Sequence, residues 1–433
     1  MKQGVDYQRV AVCSQNPAWY LRRWSDLTDD ILDGTHLAQA DELLVQRGAE
    51  YALGQEWRAA APYGEVMVYR RRRPPVHGEE PPSGVPLMAE VHRAGVSPNA
   101  IFCSQGLRRR GPERADLPFR VAPRYQGLWM EEALPLDAAA TTRYEKAVRL
   151  NKAPPYSERG KINIGIVDTG IPQGPYLNPW LEDFVASQWL VGAEAADPPD
   201  PDGNDKIDAP AGHGGFVAGV IAQIEPRVRL HVIRAVGRQG AVSDAELAGT
   251  IDALVSRLRA VGTELDILNL SLGGWTYDDR QPLMVGEAIA QLSSHTLVVA
   301  AAGNLESRRR FWPAAMERVV SVGAVVSDGD GWERAEYSNY GDWVTAVAHD
   351  DATHVPGRPS EGAQTSTFYT GAFDCHGWAK WRGTSFTTPK VVAQIATEML
   401  DGCLETGQEA WERLKKRSTQ TPPAEFPNAV VVI

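Results

Sequence analysis

Four polar residues of this 433-residue chain have the types that transfer of an acyl group requires. Ser385 stands in "RGTSFTTP" ahead of an apolar helical pattern, and His213 stands between glycines in "AGHGGFVAG". Asp168 ends the apolar run "INIGIVD", and Asn304 ends "VVAAAGN". Together they could supply an attacking hydroxyl, an imidazole that takes its proton, a carboxylate that orients the imidazole, and an amide that donates to the oxyanion.

Each of these residues also has a purely structural interpretation. An Asp can end a strand by accepting backbone N–H groups, an Asn after Gly is common in turns, and a Ser is a frequent helix N-cap. One histidine among nine carries little weight by itself. We favour the catalytic interpretation because all four groups fall at predicted strand ends or helix starts. Their chain order, Asp before His before Ser, is also one of the orders in which this triad occurs.

The elements that must position these residues alternate regularly after Lys161. The predicted strands are "INIGIVD", "RLHVIRAV", "LDILNLSLGG", "HTLVVAAAGN" and "RVVSVGAVV". Helices are predicted after His213 and Ser385 and over "DAELAGTIDALVSRLRAV" and "VGEAIAQLSS". This alternation predicts an α/β fold whose mostly parallel sheet is covered by helices on both faces, with reactive groups beyond the carboxyl ends of the strands. A helix starting at Ser385 would hold Pro389 in its first turn.

The chain divides into three segments by composition. Residues 1–150 combine a predicted helix over residues 28–54 with the strand patterns "EVMVYR", "AIFCSQGL" and "LPFRVAP", which indicates a smaller α+β accessory domain. Residues 151–161, "NKAPPYSERGK", are rich in proline and charge and predict a linker. Residues 162–433 contain all four candidate residues and predict the catalytic domain.

Composition and charge exclude several classes of protein. The formal net charge of −11 argues against a nucleic-acid partner, which needs a basic face. The chain has no run near the ~20 apolar residues of a membrane span and no signal-like N-terminus, so no membrane partner is expected. The four cysteines lie far apart, which favours free thiols over zinc ligands or disulfides. These features together predict a cytoplasmic protein.

One acidic segment leaves two interpretations open. Residues Asp197–Asp208, "DPPDPDGNDKID", carry five carboxylates, and oxygen-rich loops can hold structural calcium. The spacing fits no EF-hand loop, so a solvated loop is the other interpretation. Apart from calcium there, we expect no cofactor and no metal in the catalytic site.

Five ordered motifs resemble those of the subtilisin-like serine proteases, the subtilase family. They are "VDTG", "GHGGFVAG", "LNLSLGG", "AAAGN" and "GTSFTTP", and the resemblance runs from about Lys161 to about Leu400. It implies a subtilisin-like three-layer fold and hydrolysis of peptide bonds by a serine endopeptidase. Gly215 and Phe216 after "GHG", and Phe386 after the serine, depart from the usual family pattern and indicate a divergent member. With the predicted cytoplasmic location, this would be an intracellular member of the family.

The resemblance also implies a role for each residue. Ser385 would attack the scissile carbonyl, His213 would move the proton, Asp168 would hold His213, and Asn304 with the Ser385 N–H would form the oxyanion hole. Two walls would line the P1 pocket and pair with an extended protein or peptide substrate. The residues of these walls are Ser271, Leu272, Gly273 and Gly274, and Ala300, Ala301, Ala302 and Gly303.

Residues 1–150 resemble no inhibitory propeptide that we recognise. They could recruit substrates, bind a regulatory protein partner, or hold the protease latent. Two other functions use the same residues: a catalytically silent binding or scaffold module on a protease fold, and an esterase or acyltransferase. A fluorophosphonate probe separates the first from an enzyme, and a panel of peptides and esters separates the second from a protease.

Overall fold

The computed structural model describes most of the second part of the chain and separate stretches of the first. The described residues are 6–10, 19–23, 36–49, 57–71, 96–103, 134–135, 162–171, 179–182, 184–190, 212–236, 241–276, 279–329, 331–350, 361–363 and 378–432. The predicted linker at 151–161, the acidic segment Asp197–Asp208 and the pattern "LPFRVAP" lie outside them.

Strands dominate the described chain before residue 162, and strands and helices alternate after it. The strands are β1 (Asp6–Val10), β2 (Trp19–Arg23), β3 (His36–Gln46), β4 (Trp57–Tyr63), β5 (Val66–Arg71), β6 (Val96–Cys103), β7 (Leu134–Pro135), β8 (Asn163–Asp168), β9 (Val185–Leu190), β10 (Arg229–Arg234), β11 (Ala241–Ser243), β12 (Ile267–Leu270), β13 (Leu297–Ala301), β14 (Val319–Asp328), β15 (Gly331–Arg334), β16 (Ala346–His349), β17 (Glu361–Ala363), β18 (Trp378–Lys380) and β19 (Val430–Val432). The helices are α1 (Pro179–Glu182), α2 (His213–Ile224), α3 (Asp244–Ala260), α4 (Leu283–Ala290), α5 (Thr384–Gly402) and α6 (Gly407–Arg417).

A mostly parallel sheet forms the centre of the second part. Its order in the described chain is β19-β16-β14-β13-β12-β8-β10-β9, with parallel neighbours throughout, and β15 pairs antiparallel with β14. Because crossover helices cover such a sheet on both faces, its strands read as nearly continuous apolar runs. All six residues of β8 are buried, as are all five of β13.

Successive side chains of the central strands enter different layers of the core. Ile164 and Ile166 of β8 pack in one apolar cluster with residues of α2 and α5. Val167 packs in a second cluster with residues of α3 and α4. Since side chains alternate between the faces of a strand, the two clusters are the two faces of the sheet. The predicted three-layer α/β fold is therefore confirmed.

The first part of the chain folds differently from the prediction of a helix over residues 28–54. Residues His36–Gln46 form β3, which pairs antiparallel with β2, β5 and β6. Leu43, Leu44 and Val45 are all buried, and such an apolar run suits a strand covered on both faces as well as a helix. Cross-strand pairing on both edges outweighs the helical propensity of this segment, so the helix prediction is wrong here. The described residues before 151 form strands and the turns that follow or join them, and none of these residues is helical.

Two sheets connect the first part of the chain to the second. β11 pairs antiparallel with β6, so residues 241–243 extend the sheet of β1–β6. β18 pairs with both β17 and β7, which brings Leu134–Pro135 against the strand just before Trp381. Among helices in the described part of the chain, none has both the length and the apolar composition that crossing a membrane needs.

Candidate active site

Asp168 and His213 meet where β8 ends and α2 begins. His213 Nδ1 lies 2.8 Å from Asp168 Oδ1, and both side chains are fully buried. The backbone N–H of Thr169 donates to the same carboxylate oxygen at 2.7 Å, which holds the carboxylate in place. The imidazole is therefore oriented by a carboxylate, and the two residues lie at the strand end and the helix start where the sequence placed them.

The glycines around His213 allow a close backbone approach. Gly212 precedes α2 with φ of 81°, in the left-handed region that favours glycine. A Cβ at Gly214 would lie 2.4 Å from the carbonyl oxygen of Gly170, so a larger residue would push α2 away from β8. The Gly214 N–H donates to Thr169 Oγ1 at 2.9 Å and joins the two segments.

The other side of the imidazole faces aromatic rings. The ring centroid of His213 lies 5.5 Å from that of Trp381 and 5.1 Å from that of Phe386. His213 Nε2 is buried and has no hydrogen-bond partner within the described residues. Because Phe386 directly follows Ser385, the imidazole ring lies in the neighbourhood of the candidate nucleophile.

Ser385 is the second residue of α5 and contacts the segment after β12. Its hydroxyl donates to the Ser271 carbonyl oxygen at 3.2 Å. The Ser271 hydroxyl in turn donates to the Ser385 carbonyl oxygen at 2.8 Å. Ser385 and Ser271 are thus linked by two hydrogen bonds. The predicted hydrogen bond from the Ser385 hydroxyl to His213 Nε2 is not formed.

Pro389 explains why the Ser385 carbonyl can accept this second bond. The expectation that Pro389 lies in the first turn is wrong, because α5 starts at Thr384 and Pro389 lies inside the helix. A residue there would normally donate its N–H to the carbonyl four residues earlier, which is that of Ser385, and proline has no N–H. The Ser271 hydroxyl takes the place of the missing donor.

Asn304 is held by the first residue of α5. Its Oδ1 accepts both the backbone N–H and the hydroxyl of Thr384, each at 2.8 Å. Since the amide oxygen is engaged, Nδ2 is the atom of Asn304 that can donate to a substrate. The Thr384 hydroxyl also accepts the Gly303 N–H at 3.0 Å. Thr384 therefore links the predicted oxyanion amide to one predicted wall of the P1 pocket.

The predicted walls of the P1 pocket follow two neighbouring strands. Ser271 to Gly274 come directly after β12, and Ala300 to Gly303 include the end of β13. β12 and β13 pair in parallel, so both walls lie at the same edge of the sheet. Gly274 forms an isolated antiparallel bridge with Trp312, with both N–H···O distances at 2.8 Å.

Sequence reasoning missed a buried polar cluster behind the start of α5. The Tyr337 hydroxyl donates to Asp350 Oδ2, and Arg382 Nε lies 3.5 Å from the same oxygen. Burial raises the pKa of the Asp350 carboxyl, and burial also raises the pKa of Tyr337 well above its ordinary value. The cluster braces the residues before Ser385, and no motif spacing indicates it.

Comparison with known proteins finds one protein family for the second part of the chain. A sequence model described as "Subtilase family" matches residues 159–416, more than half of the chain. A thermophilic serine proteinase of Bacillus sp. (strain AK1) is 31% identical over 196 residues, which are 43% of each chain. Alkaline elastase YaB of Bacillus sp. (strain YaB) is 28% identical over 279 residues, 60% of this chain and 61% of the relative. The matches span less than two thirds of either relative.

A solved structure shares the fold. Fervidolysin from Fervidobacterium pennivorans, described as a keratinolytic enzyme related to subtilisin, aligns with a TM-score of 0.54 at 17% identity. The alignment covers 90% of this chain and 60% of that chain. At this identity the likeness concerns the fold alone.

Proposed function

Because the chain belongs to the subtilase family, we propose that it is a serine endopeptidase whose triad is Asp168, His213 and Ser385. The observation that carries the proposal is the buried Asp168–His213 pair, at 2.8 Å, whose outer nitrogen Nε2 has no partner among the described residues. The imidazole ring lies 5.1 Å, centroid to centroid, from the ring of Phe386, the residue after the serine.

The chemistry begins with a rotation of the Ser385 side chain. Its hydroxyl leaves the Ser271 carbonyl, a bond of 3.2 Å, and turns towards His213 Nε2. With Nδ1–H donating to Asp168, Nε2 can accept the hydroxyl proton as the oxygen attacks the scissile carbonyl. The imidazolium then gives this proton to the leaving amine, and water releases the acyl group by the same route.

The developing oxyanion would be stabilised by two donors. Asn304 Nδ2 is one, because Thr384 fixes the Oδ1 side of the amide. The Ser385 backbone N–H is the other, because it belongs to the first turn of α5, where N–H groups lack intrahelical acceptors. Both donors are held before the reaction, so little reorganisation is needed as charge develops.

We also propose that residues 1–150 restrict access to this site. Leu44, Val66 and Phe102 from the first part share one apolar cluster with Leu272 and Trp312, which adjoin the predicted pocket walls. β7 pairs with β18, which ends one residue before Trp381, a contact of His213. A partner protein that detaches the strands of residues 1–150 would therefore alter the site near the pocket walls and near Trp381. The cytoplasmic location and the calcium site stay predictions.

One observation favours a second function. The Ser385 hydroxyl bonds to Ser271 and not to His213, which is the arrangement expected of a catalytically silent scaffold. Hydrolysis of a quenched-fluorescent peptide library and of matched esters separates the possibilities. An endopeptidase cleaves internal peptide bonds, and Ser385→Ala abolishes this cleavage while a Ser418→Ala control retains it. Cleavage of esters alone indicates an esterase, and no turnover of either indicates the scaffold.

A further inference from the structure

The gap between the two predicted pocket walls contains an aromatic ring. Phe311 is buried, and one edge of its ring, Cδ1–Cε1, faces glycines of both walls. A Cβ at Gly273 would lie 2.3 Å from Cε1 and 2.7 Å from Cδ1. A Cβ at Gly303 would lie 3.0 Å from each of the same two atoms. At Gly273 only glycine leaves room for this ring, whereas a Cβ at Gly303 would crowd the ring and lie even closer, at 2.4 Å, to Asn339 Nδ2.

Neighbouring residues hold the ring in this position. The ring of Trp275 contacts Phe311 edge-on, with centroids 5.9 Å apart and planes at 90°. The Arg309 guanidinium lies 5.4 Å from the centroid of Trp275 and forms an ion pair with Asp279. The residue after Phe311 is fixed by the double hydrogen bond between Trp312 and Gly274.

These contacts fix the Phe311 ring in the gap between the pocket walls. Moving Phe311 away would expose its ring and break its contacts with Trp275 and two backbone segments. Each methylene that a hydrophobic pocket accepts or rejects is worth about 10–200-fold in kcat/KM. A ring that occupies the gap therefore rejects large side chains by steric overlap, which is a stronger discriminator than a lost contact.

From this geometry we propose that Phe311 closes the P1 pocket from within, so that the enzyme cleaves after glycine and alanine and rejects leucine, phenylalanine and tyrosine at P1. The inference rests on the proposed endopeptidase function, and it names the substrate class of that same site. Phe311 determines specificity through its volume and takes no part in moving protons.

The test is a set of blocked tetrapeptide p-nitroanilides that differ only at P1, carrying Gly, Ala, Leu or Phe. The full chain is assayed intact and after cutting at a site-specific protease sequence inserted in residues 151–161. For the wild type we expect kcat/KM for Ala to exceed that for Phe by about 100-fold or more, on the scale of one to two excluded groups. A wild-type preference for Leu or Phe would overturn the inference while leaving the endopeptidase function intact.

Substitutions test whether the Phe311 side chain itself causes the preference for small residues at P1. Phe311→Ala opens the gap, and we expect it to raise the Phe/Ala ratio of kcat/KM by at least the same factor of about 100. Phe184→Ala removes a buried ring that packs against Trp180 and controls for general loss of packing, so its ratio should stay at the wild-type value. Peptidyl phosphonates with Ala or Phe at P1 give a second readout, the rate of covalent attachment to Ser385, which needs no turnover.

The outcomes are distinguishable. An unchanged Phe/Ala ratio in a folded Phe311→Ala overturns the inference, as does equal attachment of the two phosphonates to the wild type. If neither phosphonate attaches and no anilide is cleaved, before or after cutting, the proposed function fails and the inference fails with it.

Discussion

At the scale of single residues, Thr384 connects the predicted oxyanion amide of Asn304 to the wall of the P1 pocket that contains Gly303. Its hydroxyl accepts the Gly303 N–H and donates to Asn304 Oδ1, and its own N–H donates to the same oxygen. The Asn304 amide is thus oriented by two bonds from one residue. If Asn304 donates to the oxyanion, Thr384 should affect the rate through that amide.

A pair of substitutions tests this arrangement. In subtilisin, removal of the oxyanion-hole Asn lowers kcat by about 10²–10³, and we expect Asn304→Ala to lose activity on the same scale as that enzyme. Thr384→Val keeps the shape but removes both hydrogen bonds of the hydroxyl, to Asn304 Oδ1 and from the Gly303 N–H. The bond to Asn304 is worth about 1 kcal/mol, so we expect kcat to fall by about 5-fold or more with little change in KM. The measurement is steady-state kinetics on one peptide. A Thr384→Val enzyme with normal kcat would contradict the role of Thr384 in orienting Asn304.

The residues of the site differ in how far the sequence could predict them. Asp168 and His213 end or begin apolar elements, and the motifs that contain them predicted that they would meet. The contacts of Phe311, Thr384 and Asp350 could not be predicted in this way. Each depends on a partner more than ten positions away in the chain, and nothing in the local spacing marks that partner.

At the scale of elements, a buried carboxylate joins two helices. Asp244, the first residue of α3, accepts the backbone N–H of Val285 at 2.7 Å and that of Met284 at 3.2 Å. These N–H groups belong to the first turn of α4, whose N-cap position is Pro282 and has no side-chain cap. Asp244 therefore caps α4 from another helix.

The same burial makes stability depend on pH. Burial raises the pKa of Asp244 to about 7, although the backbone hydrogen bonds oppose the shift. The folded state then binds a proton that the unfolded state, with a pKa of about 4, has already released. The free energy of unfolding should fall as pH rises from about 4 to about 7, by at most about 1.4 kcal/mol per pH unit from this group.

Asp244→Asn removes this contribution. We expect the free energy of unfolding of the wild type, relative to Asp244→Asn, to decrease between pH 4.5 and 7.5 in urea titrations. Asp342→Asn makes the same chemical change at an exposed position and serves as the control. A wild type that gains stability over Asp244→Asn as pH rises would show that the carboxyl is not held protonated by burial.

Helices and strands were predicted well where burial in the core imposes a periodic apolar pattern. They were predicted poorly where pairing with distant strands decides the conformation. The five strands and four helices predicted after Lys161 follow apolar runs and helical patterns, and they occur within a few residues of the predicted segments. Other strands such as β9 and β11 were not predicted. β3 was predicted as a helix because "ELLVQ" suits either state. Its strand form depends on β2, β5 and β6, which a local pattern does not contain.

At the scale of the whole molecule, the first part of the chain is continuous with the core of the second. Phe102 of β6 is fully buried and pairs across the strands with Val242 of β11. It shares its apolar cluster with Leu247 and Ile251 of α3. Composition indicated a separate accessory domain, but it could not show that residues 241–243 would complete the sheet of that domain.

This continuity allows a test of latency. Phe102→Asp buries a charge in the shared cluster, which costs several kcal/mol unless the sheet detaches. If residues 1–150 restrict access, the variant should cleave peptides several-fold faster than the wild type. Arg58→Asp places the same residue on an exposed position of β4 and should leave the rate unchanged. Equal rates for both variants and for the chain cut within residues 151–161 would contradict latency.

The triad itself is tested most directly by covalent labelling with a fluorophosphonate, mapped by mass spectrometry on the intact and on the cut chain. We predict one adduct, on Ser385, that is absent from Ser385→Ala and forms much more slowly in His213→Ala. An adduct on another serine, or none under either condition, would contradict the assignment of Ser385 as the nucleophile activated by the Asp168–His213 pair.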